Sequence, residues 1–329
     1  MARGFERCIG GYAGCGNLGD DAILQGYLQR LSEAELHRVV VLSGRPRWDR
    51  RRFGVRCVGR KSLLRIVFAL MRSQRFLLGG GSLLQNGTGN LSLLYYLGLL
   101  RLARFCGCST ELLAAGIGPL HGKFATRTTA RELKKCHFIY IRDANSASLL
   151  AEWGISPSQM AIVPDPALDL LPPAPTRRMF LLRELGVDPS TPYGCVILRP
   201  FDQASDVCVY TIAEALRALA RRDRHAIVFL LLDPIRDGSI TSCVCRSVGG
   251  SIARVRDSSD ALSIISGARL VVSMRLHGLI FAHSLGVPAL AISPASDEPK
   301  LSAFCAAHGI PHLLPEDLSA EAITNTIRT

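Results

Sequence analysis

"VVSMRLHGLIFAHSLGVPAL", residues 271–290, holds a change of periodicity within twenty residues. An apolar run, Val271 to Met274, has the length and composition of a buried strand and stops abruptly. Arg275 and His277 follow, a helical pattern covers 276–285, and a second apolar run begins at 288. Two apolar strands joined by one short helix imply parallel neighbours, because a parallel pair needs a crossover connection. The same alternation recurs along the chain. Strands are expected over 6–12, 38–43, 75–79, 110–117, 137–141 and 160–163, then over 194–199, 226–232, 251–255, 269–274 and 288–292. Amphipathic stretches such as 20–31, 90–105, 143–153, 206–222 and 258–266 lie between them. Continuous apolar strands alternating with helices predict α/β architecture with parallel sheets covered on both faces.

The alternation breaks at "DPALDLLPPAPTRR", 165–178, where four prolines fall within 165–175. Proline lacks an N–H and fixes φ, so this stretch continues neither a helix nor a central strand. It predicts a boundary between domains 1–172 and 173–329. The expected fold is two Rossmann-like, doubly wound parallel-sheet domains facing a cleft. Ligands of such sheets bind at the carboxyl ends of the strands.

Composition narrows the function classes. The chain has 329 residues, 48% hydrophobic and 20% charged, enough to bury two cores. The net charge is +12, and the excess is uneven: 23 Lys+Arg against 12 Asp+Glu in 1–172, but 16 against 15 in 173–329. Aromatics are 6% and do not interleave with the cations, which argues against nucleic acid. An anionic membrane surface fits the segment 45–75 better. Leu63, Leu64, Ile66, Val67, Phe68 and Leu70 are expected to form one apolar helix face flanked by Arg60, Lys61, Arg65 and Arg72. The apolar stretch 91–100 is about half the ~20 residues of a spanning helix, and the N-terminus has no apolar signal region. A cytoplasmic location, with peripheral contact at the inner face of the cell membrane, is expected. The eleven cysteines include no CxxC pair, so they read as small buried hydrophobes and no metal site is expected.

Chemistry-bearing motifs sit where strands end. "GYAGCGNLGDDAIL", 11–24, supplies Gly14, Asn17, Gly19 and Asp20, a tight turn in which a ligand approaches backbone N–H groups and Asp20 caps the next helix. Its glycine spacing is not that of a dinucleotide fingerprint. "GGGSLLQN", 79–86, adds Gly80, Gly81, Ser82 and Gln85, and "GIGP", 116–119, adds Gly116 and Gly118. Three such loops at successive strand ends predict one shared site. In "YIRDANSASLLAEWG", 140–154, Arg142 ends a strand and Asp143 begins a helix. Arg142 is either an ion-pair partner of Asp165 or an anion clamp. Arg199 in "VILRPF" and Arg275 in "SMRLHG" end strands of the second half, and Lys300 follows a later one. A helix N-terminus attracts anions, Arg275 strengthens the attraction, and His277 can move a proton near neutral pH. His283, His308 and His312 lack comparable surroundings and read as structural or surface residues.

Together, "GYAGCGNLGDDAIL", "GGGSLLQN", "AAGIGP", "IRD", "LRP", "SMRLHGLIFAHSLGVPALAIS" and "DEPK" resemble, in order, the motifs of the polysaccharide pyruvyl transferase family, of the kind that modifies bacterial cell-wall polymers. The resemblance implies a glycosyltransferase B-like fold and no cofactor or metal. It implies phosphoenolpyruvate as donor substrate, and a sugar or lipid-linked polysaccharide precursor as acceptor. The implied product is a ketal bridging two hydroxyls, commonly O4 and O6 of an N-acetylhexosamine, with phosphate released. It carries over Arg142 and His277 as catalytic and Lys300 as functional. Arg199 and Arg275 are then available, with Lys300, to bind the donor's phosphate and carboxylate in the second domain, with the glycine loops binding the acceptor in the first. The chain departs from the family pattern in two places: "SPASDEPK" stands where a "YDPK"-like spacing is usual, and Asn86 stands where the glycine loop usually ends in an acid. Two rival readings share these motifs: a glycosyltransferase B-type enzyme using a nucleotide sugar, and a paralogue that binds a glycan precursor without turnover.

Overall fold

The computed structural model describes residues 4–87, 89–201, 206–223, 225–295 and 298–326. Ser296 and Asp297 of "SPASDEPK" lie outside the described residues. Cα packing divides the chain into Met1–Ala167 and Leu168–Thr329, at a point inside the proline-rich stretch.

The first unit holds strands β1 (Phe5–Gly10), β2 (Val39–Ser43), β3 (Arg56–Gly59), β4 (Ser73–Gly79), β5 (Ser109–Ala115), β6 (Phe138–Ile141) and β7 (Met160–Ile162). Its helices are α1 (Leu18–Gln29), α2 (Glu33–Leu36), α3 (Pro46–Phe53), α4 (Leu63–Met71), α5 (Asn90–Phe105), α6 (Lys123–Leu133) and α7 (Ala144–Glu152). The seven strands are all parallel, in the order β3-β2-β1-β4-β5-β6-β7. Winding reverses between β1 and β4, which places helices on both faces. Side chains sort by the period of two. Val40, Leu42, Phe76, Leu78 and Leu112 pack under α4, α5 and α6, and Val39, Val41, Leu77 and Leu113 pack under α1.

The second unit holds β8 (Tyr193–Ile197), β9 (Ala226–Leu230), β10 (Ser251–Ala253), β11 (Leu270–Ser273), β12 (Ala289–Ile292) and β13 (His312–Leu313). Its helices are α8 (Pro175–Glu184), α9 (Asp206–Asp223), α10 (Pro234–Val248), α11 (Ser258–Ile265), α12 (Leu276–Ser284), α13 (Pro299–His308) and α14 (Ala320–Thr326). Its sheet is also parallel, ordered β10-β9-β8-β11-β12-β13, the same winding with one strand fewer. The opening stretch is the β11–α12–β12 unit. Gly278 lets α12 lie close on the sheet: a Cβ there would stand 2.3 Å from Ser273 Oγ and 2.6 Å from Ile197.

Two expectations change. The apolar residues of α4 do not share one face. Ile66, Ala69 and Leu70 turn into the core, whereas Leu63, Leu64, Phe68 and Met71 are exposed. Two strands escaped the sequence reading, β3 and β13, both short and poor in apolar residues. The cysteines are all free; six are buried, four are partly buried and Cys243 is exposed. Burial pushes the Cys195 thiol up to about 12. Among the described residues no helix is long and apolar enough to cross a membrane.

Candidate functional site

In each parallel sheet the loops that follow the strands emerge along one edge, and that edge collects the motif residues. In the first unit α1 begins after a turn in which Gly14 and Gly16 take φ of 67° and 99°, open to glycine at little cost. The N-cap is Asn17, not Asp20: its Oδ1 accepts from Gly19 N at 3.0 Å. Asp20 lies within the first turn, buried, and accepts from Asn17 Nδ2 at 2.8 Å. Gly14 N donates to Asp21 Oδ1 at 2.8 Å, and Asp21 pairs with Arg52 at 3.1 Å, tying the loop to α3. Burial raises the Asp21 carboxyl above its ordinary value, against the lowering effect of the Gly14 N–H and Arg52.

The second and third loops run side by side as an extension of β4 and β5. Gly116 N donates to Gly81 O at 3.2 Å, Gly118 N to Leu84 O at 2.8 Å, and Asn86 N to Pro119 O at 3.2 Å. Asn86 closes the pair with its side chain. Its Oδ1 accepts from His121 N at 2.7 Å, and its Nδ2 donates to His121 O and to Asn90 Oδ1, both at 2.9 Å. The N–H groups of Gly14, Gly19, Gly116 and Gly118 therefore donate within the protein. Through these bonds the glycines shape the loops. Asn17, Ser82 and Gln85 are partly exposed on the same loops.

Arg142 directly follows β6 and reaches across this edge. Nη1 donates to Asp165 Oδ2 at 2.7 Å, and Nη2 approaches Ser82 Oγ at 3.4 Å. Both charged side chains are nearly buried. Asp165 Oδ1 accepts from Ala167 N at 3.0 Å. Gly26 of α1 makes room for this segment, since a Cβ there would meet Pro166 O at 2.0 Å. Asp143 caps α7 as expected, accepting from Ser146 N at 2.7 Å, and Ser146 Oγ accepts from Ile117 N at 2.9 Å. The ion-pair reading of Arg142 is thus realised, and the pair joins the glycine loop to the end of the unit.

Sequence reasoning set Arg60 on the flank of the α4 apolar face, and the structure places it instead against the first glycine loop. Its Nη1 lies 2.8 Å from Cys15 Sγ in the first loop, and its Nη2 lies 3.1 Å from the hydroxyl of Tyr96. The rings of Tyr12, Tyr95 and Tyr96 surround the guanidinium at 5.3, 5.0 and 5.7 Å. The only sequence signal was a cation directly after the apolar pair of "CVGRK", hidden in a run of cations.

In the second unit the corresponding edge carries Arg199, Arg275, His277 and Lys300. Arg275 is the N-cap residue of α12, with no side-chain cap. Its guanidinium turns to α10 and makes a two-point contact with the buried Asp237, through Nε at 3.1 Å and through Nη2. Asp233, the N-cap of α10, stands 4.0 Å from Nη2. Burial raises the Asp237 carboxyl, and Arg275 opposes that rise. His277 lies in the first turn of α12, 9% exposed, its ring 6.2 Å from that of Phe281. Arg199 meets Glu298 at 3.4 Å, and Glu298 is the N-cap of α13, two residues before Lys300. The expected cluster of cations is therefore interleaved with Asp233, Asp237 and Glu298. The sequence signal for the first two was "LLLDPIRDG", carboxylates directly after an apolar strand.

Comparison with known proteins adds fold and family. Three solved structures align over nearly the whole chain at low identity. A UDP-GlcNAc 2-epimerase from Methanocaldococcus jannaschii is 11% identical, with 99% of this chain and 92% of that one covered and a TM-score of 0.66. Anabaena HepE in complex with UDP and glucose is 11% identical, with 98% and 89% covered and a TM-score of 0.65. The UDP-GlcNAc 2-epimerase from Neisseria meningitidis bound to UDP-GlcNAc is 12% identical, with 98% and 90% covered and a TM-score of 0.64. These show a glycosyltransferase B-like fold. No curated protein matches the sequence. The family profile described as polysaccharide pyruvyl transferase matches residues 17–296, so it takes in Asn17, Arg142, Arg199, Arg275 and His277 and stops short of Lys300. A match over most of the chain places this protein in the polysaccharide pyruvyl transferase family.

Proposed function

We propose that the protein transfers pyruvate from phosphoenolpyruvate to two hydroxyls of one sugar in a cell-wall or exopolysaccharide precursor, forming a ketal, commonly 4,6-linked on an N-acetylhexosamine. The family match over 17–296 carries this reading. Two C–O bonds form at the enol carbon and the C–O bond to phosphate breaks. One hydroxyl proton ends on the methylene carbon, which becomes a methyl group, and the other leaves with phosphate. No redox partner is needed.

The residues suit the steps. The donor carries a phosphate and a carboxylate, and Arg199, Arg275 and Lys300 supply cations at the strand ends of the second unit. Asp237 holds the Arg275 guanidinium in a fixed orientation beside the first turn of α12. His277, in that turn, is the proposed proton carrier, as base to one hydroxyl or acid to the departing phosphate. The acceptor side uses Asn17, Ser82 and Gln85, with Arg142 fixing the loop that bears Ser82. The location that goes with this reading is the cytoplasm, where phosphoenolpyruvate is made.

The test is incubation with phosphoenolpyruvate and a panel of aryl- or lipid-linked N-acetylhexosamines, followed by mass and by phosphate release. One ketal per sugar with equimolar phosphate is expected, and His277→Ala should lose the activity. No ketal with any member of the panel, or an unimpaired His277→Ala protein, overturns the assignment. A second reading has one observation in its favour: HepE and the Neisseria epimerase, similar in fold, bind UDP or a UDP-sugar. Thermal stabilisation by UDP but not by phosphoenolpyruvate would favour a nucleotide-sugar enzyme.

A further inference from the structure

Helix α4 is apolar on two sides. Leu63, Leu64, Phe68 and Met71 are 65, 85, 56 and 48% exposed, and the spacing 64, 68, 71 puts three of them in one stripe. Beside the stripe, α4 and β3 bound a groove of about 620 Å³. Phe5, Val58 and Phe68 form its apolar walls, and Arg50, Arg56, Arg65 and Arg72 contribute its charge. The Arg56 and Arg72 guanidinium groups lie over the Phe5 ring at 5.4 and 5.9 Å. Among the described residues no acid lines the groove. The segment 45–75 holds eleven Lys+Arg and one acid, Asp49, which is buried and hydrogen-bonded to Ser43.

We propose that this face docks on an anionic phospholipid bilayer, with Leu63, Leu64, Phe68 and Met71 entering the boundary between headgroups and acyl chains. The arginines around the groove meet the lipid phosphates. Two other occupants fit less well. A nucleic acid would engage the arginines and leave the leucines in water. A second copy across a two-fold axis would set the arginines against their own equivalents. A bilayer matches both the apolar stripe and the charge.

Position supports the choice. The first turn of α4 follows the carboxyl end of β3, so Leu63 and Leu64 lie at the sheet edge that bears the glycine loops. Helix α5 packs against α4 and starts from the same edge, where Leu91 and Leu94 are 84 and 41% exposed. An acceptor carried on a lipid would arrive at that edge. The inference stands apart from the pyruvyl reading, and its test requires neither donor nor turnover.

The test is sedimentation of the full chain with phosphatidylglycerol–phosphatidylcholine vesicles and with phosphatidylcholine vesicles, at about 0.15 M salt. Binding to the anionic vesicles alone is expected. The double variant Leu64→Ser/Phe68→Ser should weaken it by at least about tenfold. Arg56→Gln/Arg65→Gln should weaken it too and make it less salt-dependent. All four side chains are exposed or line the open groove, and an unchanged thermal midpoint checks folding. Equal binding to both vesicles, no binding to either, or variants that bind like the parent would overturn the proposal. So would a dimer that the Leu64→Ser/Phe68→Ser variant dissociates, or tighter retention by a single-stranded oligonucleotide than by the anionic vesicles.

Discussion

Asp20 occupies the space in which a side chain on Gly81 would stand: a Cβ built on Gly81 lies 1.9 Å from Asp20 Oδ1. Gly81 also has φ of 70°, so two constraints coincide. Gly81→Ala should cost roughly 1–3 kcal/mol in denaturant unfolding from strain and displacement of the carboxylate. Gly54 has φ of 67° with nothing within 4 Å of a Cβ, so Gly54→Ala should cost only about 1 kcal/mol. The difference between the two isolates the contact with Asp20. Equal losses would show that the contact relaxes freely.

Asn86 answers the backbone of His121 with a donor and an acceptor. Asn86→Asp keeps the acceptor and loses both donations, turning an oxygen towards the His121 carbonyl. A loss of about 1–2 kcal/mol is expected, together with faster hydrogen exchange at His121 N–H. In this chain the amide is suited to its contacts, and a carboxylate at this position would break them.

Asp237 is fully buried against Arg275. Asp237→Ala leaves the guanidinium, itself 17% exposed, without that carboxylate. Stability should fall by about 3 kcal/mol, and KM for the proposed donor, phosphoenolpyruvate, should rise as Arg275 loses its orientation. Asp237→Asn, which keeps an acceptor, should fall between the parent and the alanine variant. Urea unfolding and initial-rate assays check both.

Two histidines of the second unit titrate below their ordinary 6.5. Burial lowers His312, whose Nε2 meets Ser293 Oγ at 2.8 Å. Burial and the His283 ring, 4.1 Å away, lower His308. The unfolded chain therefore binds protons before the folded one does as pH falls. The contribution is present above 6.5 and is lost as pH drops through the folded values. Urea midpoints at about pH 7.5 and about pH 5 should differ by less in His312→Gln than in the parent. An unchanged difference would show that His312 does not contribute.

The strands were legible where they were long and apolar, because burial on both faces removes any need for alternation. β3, "RCVG", was not, since its strand character comes from its pairing, Val40 with Arg56 and Ser43 with Gly59, and not from its composition. The candidate site was legible only as a set of strand ends: Arg142, Arg275 and three glycine loops. Its ion pairs were mostly illegible. Arg275 and Asp237 are 38 positions apart and meet only because β9 and β11 lie on either side of β8. Arg142 and Asp165 could be matched beforehand because a single short crossover separates them.

Cys243 is the one thiol of the eleven that is exposed. It lies on α10, six residues beyond Asp237, about 9 Å along the helix axis. A maleimide dye or nitroxide should therefore react there first, without a cysteine-free background. It would turn the helix that bears the counter-ion of Arg275 into an optical or magnetic reporter of ligand occupancy.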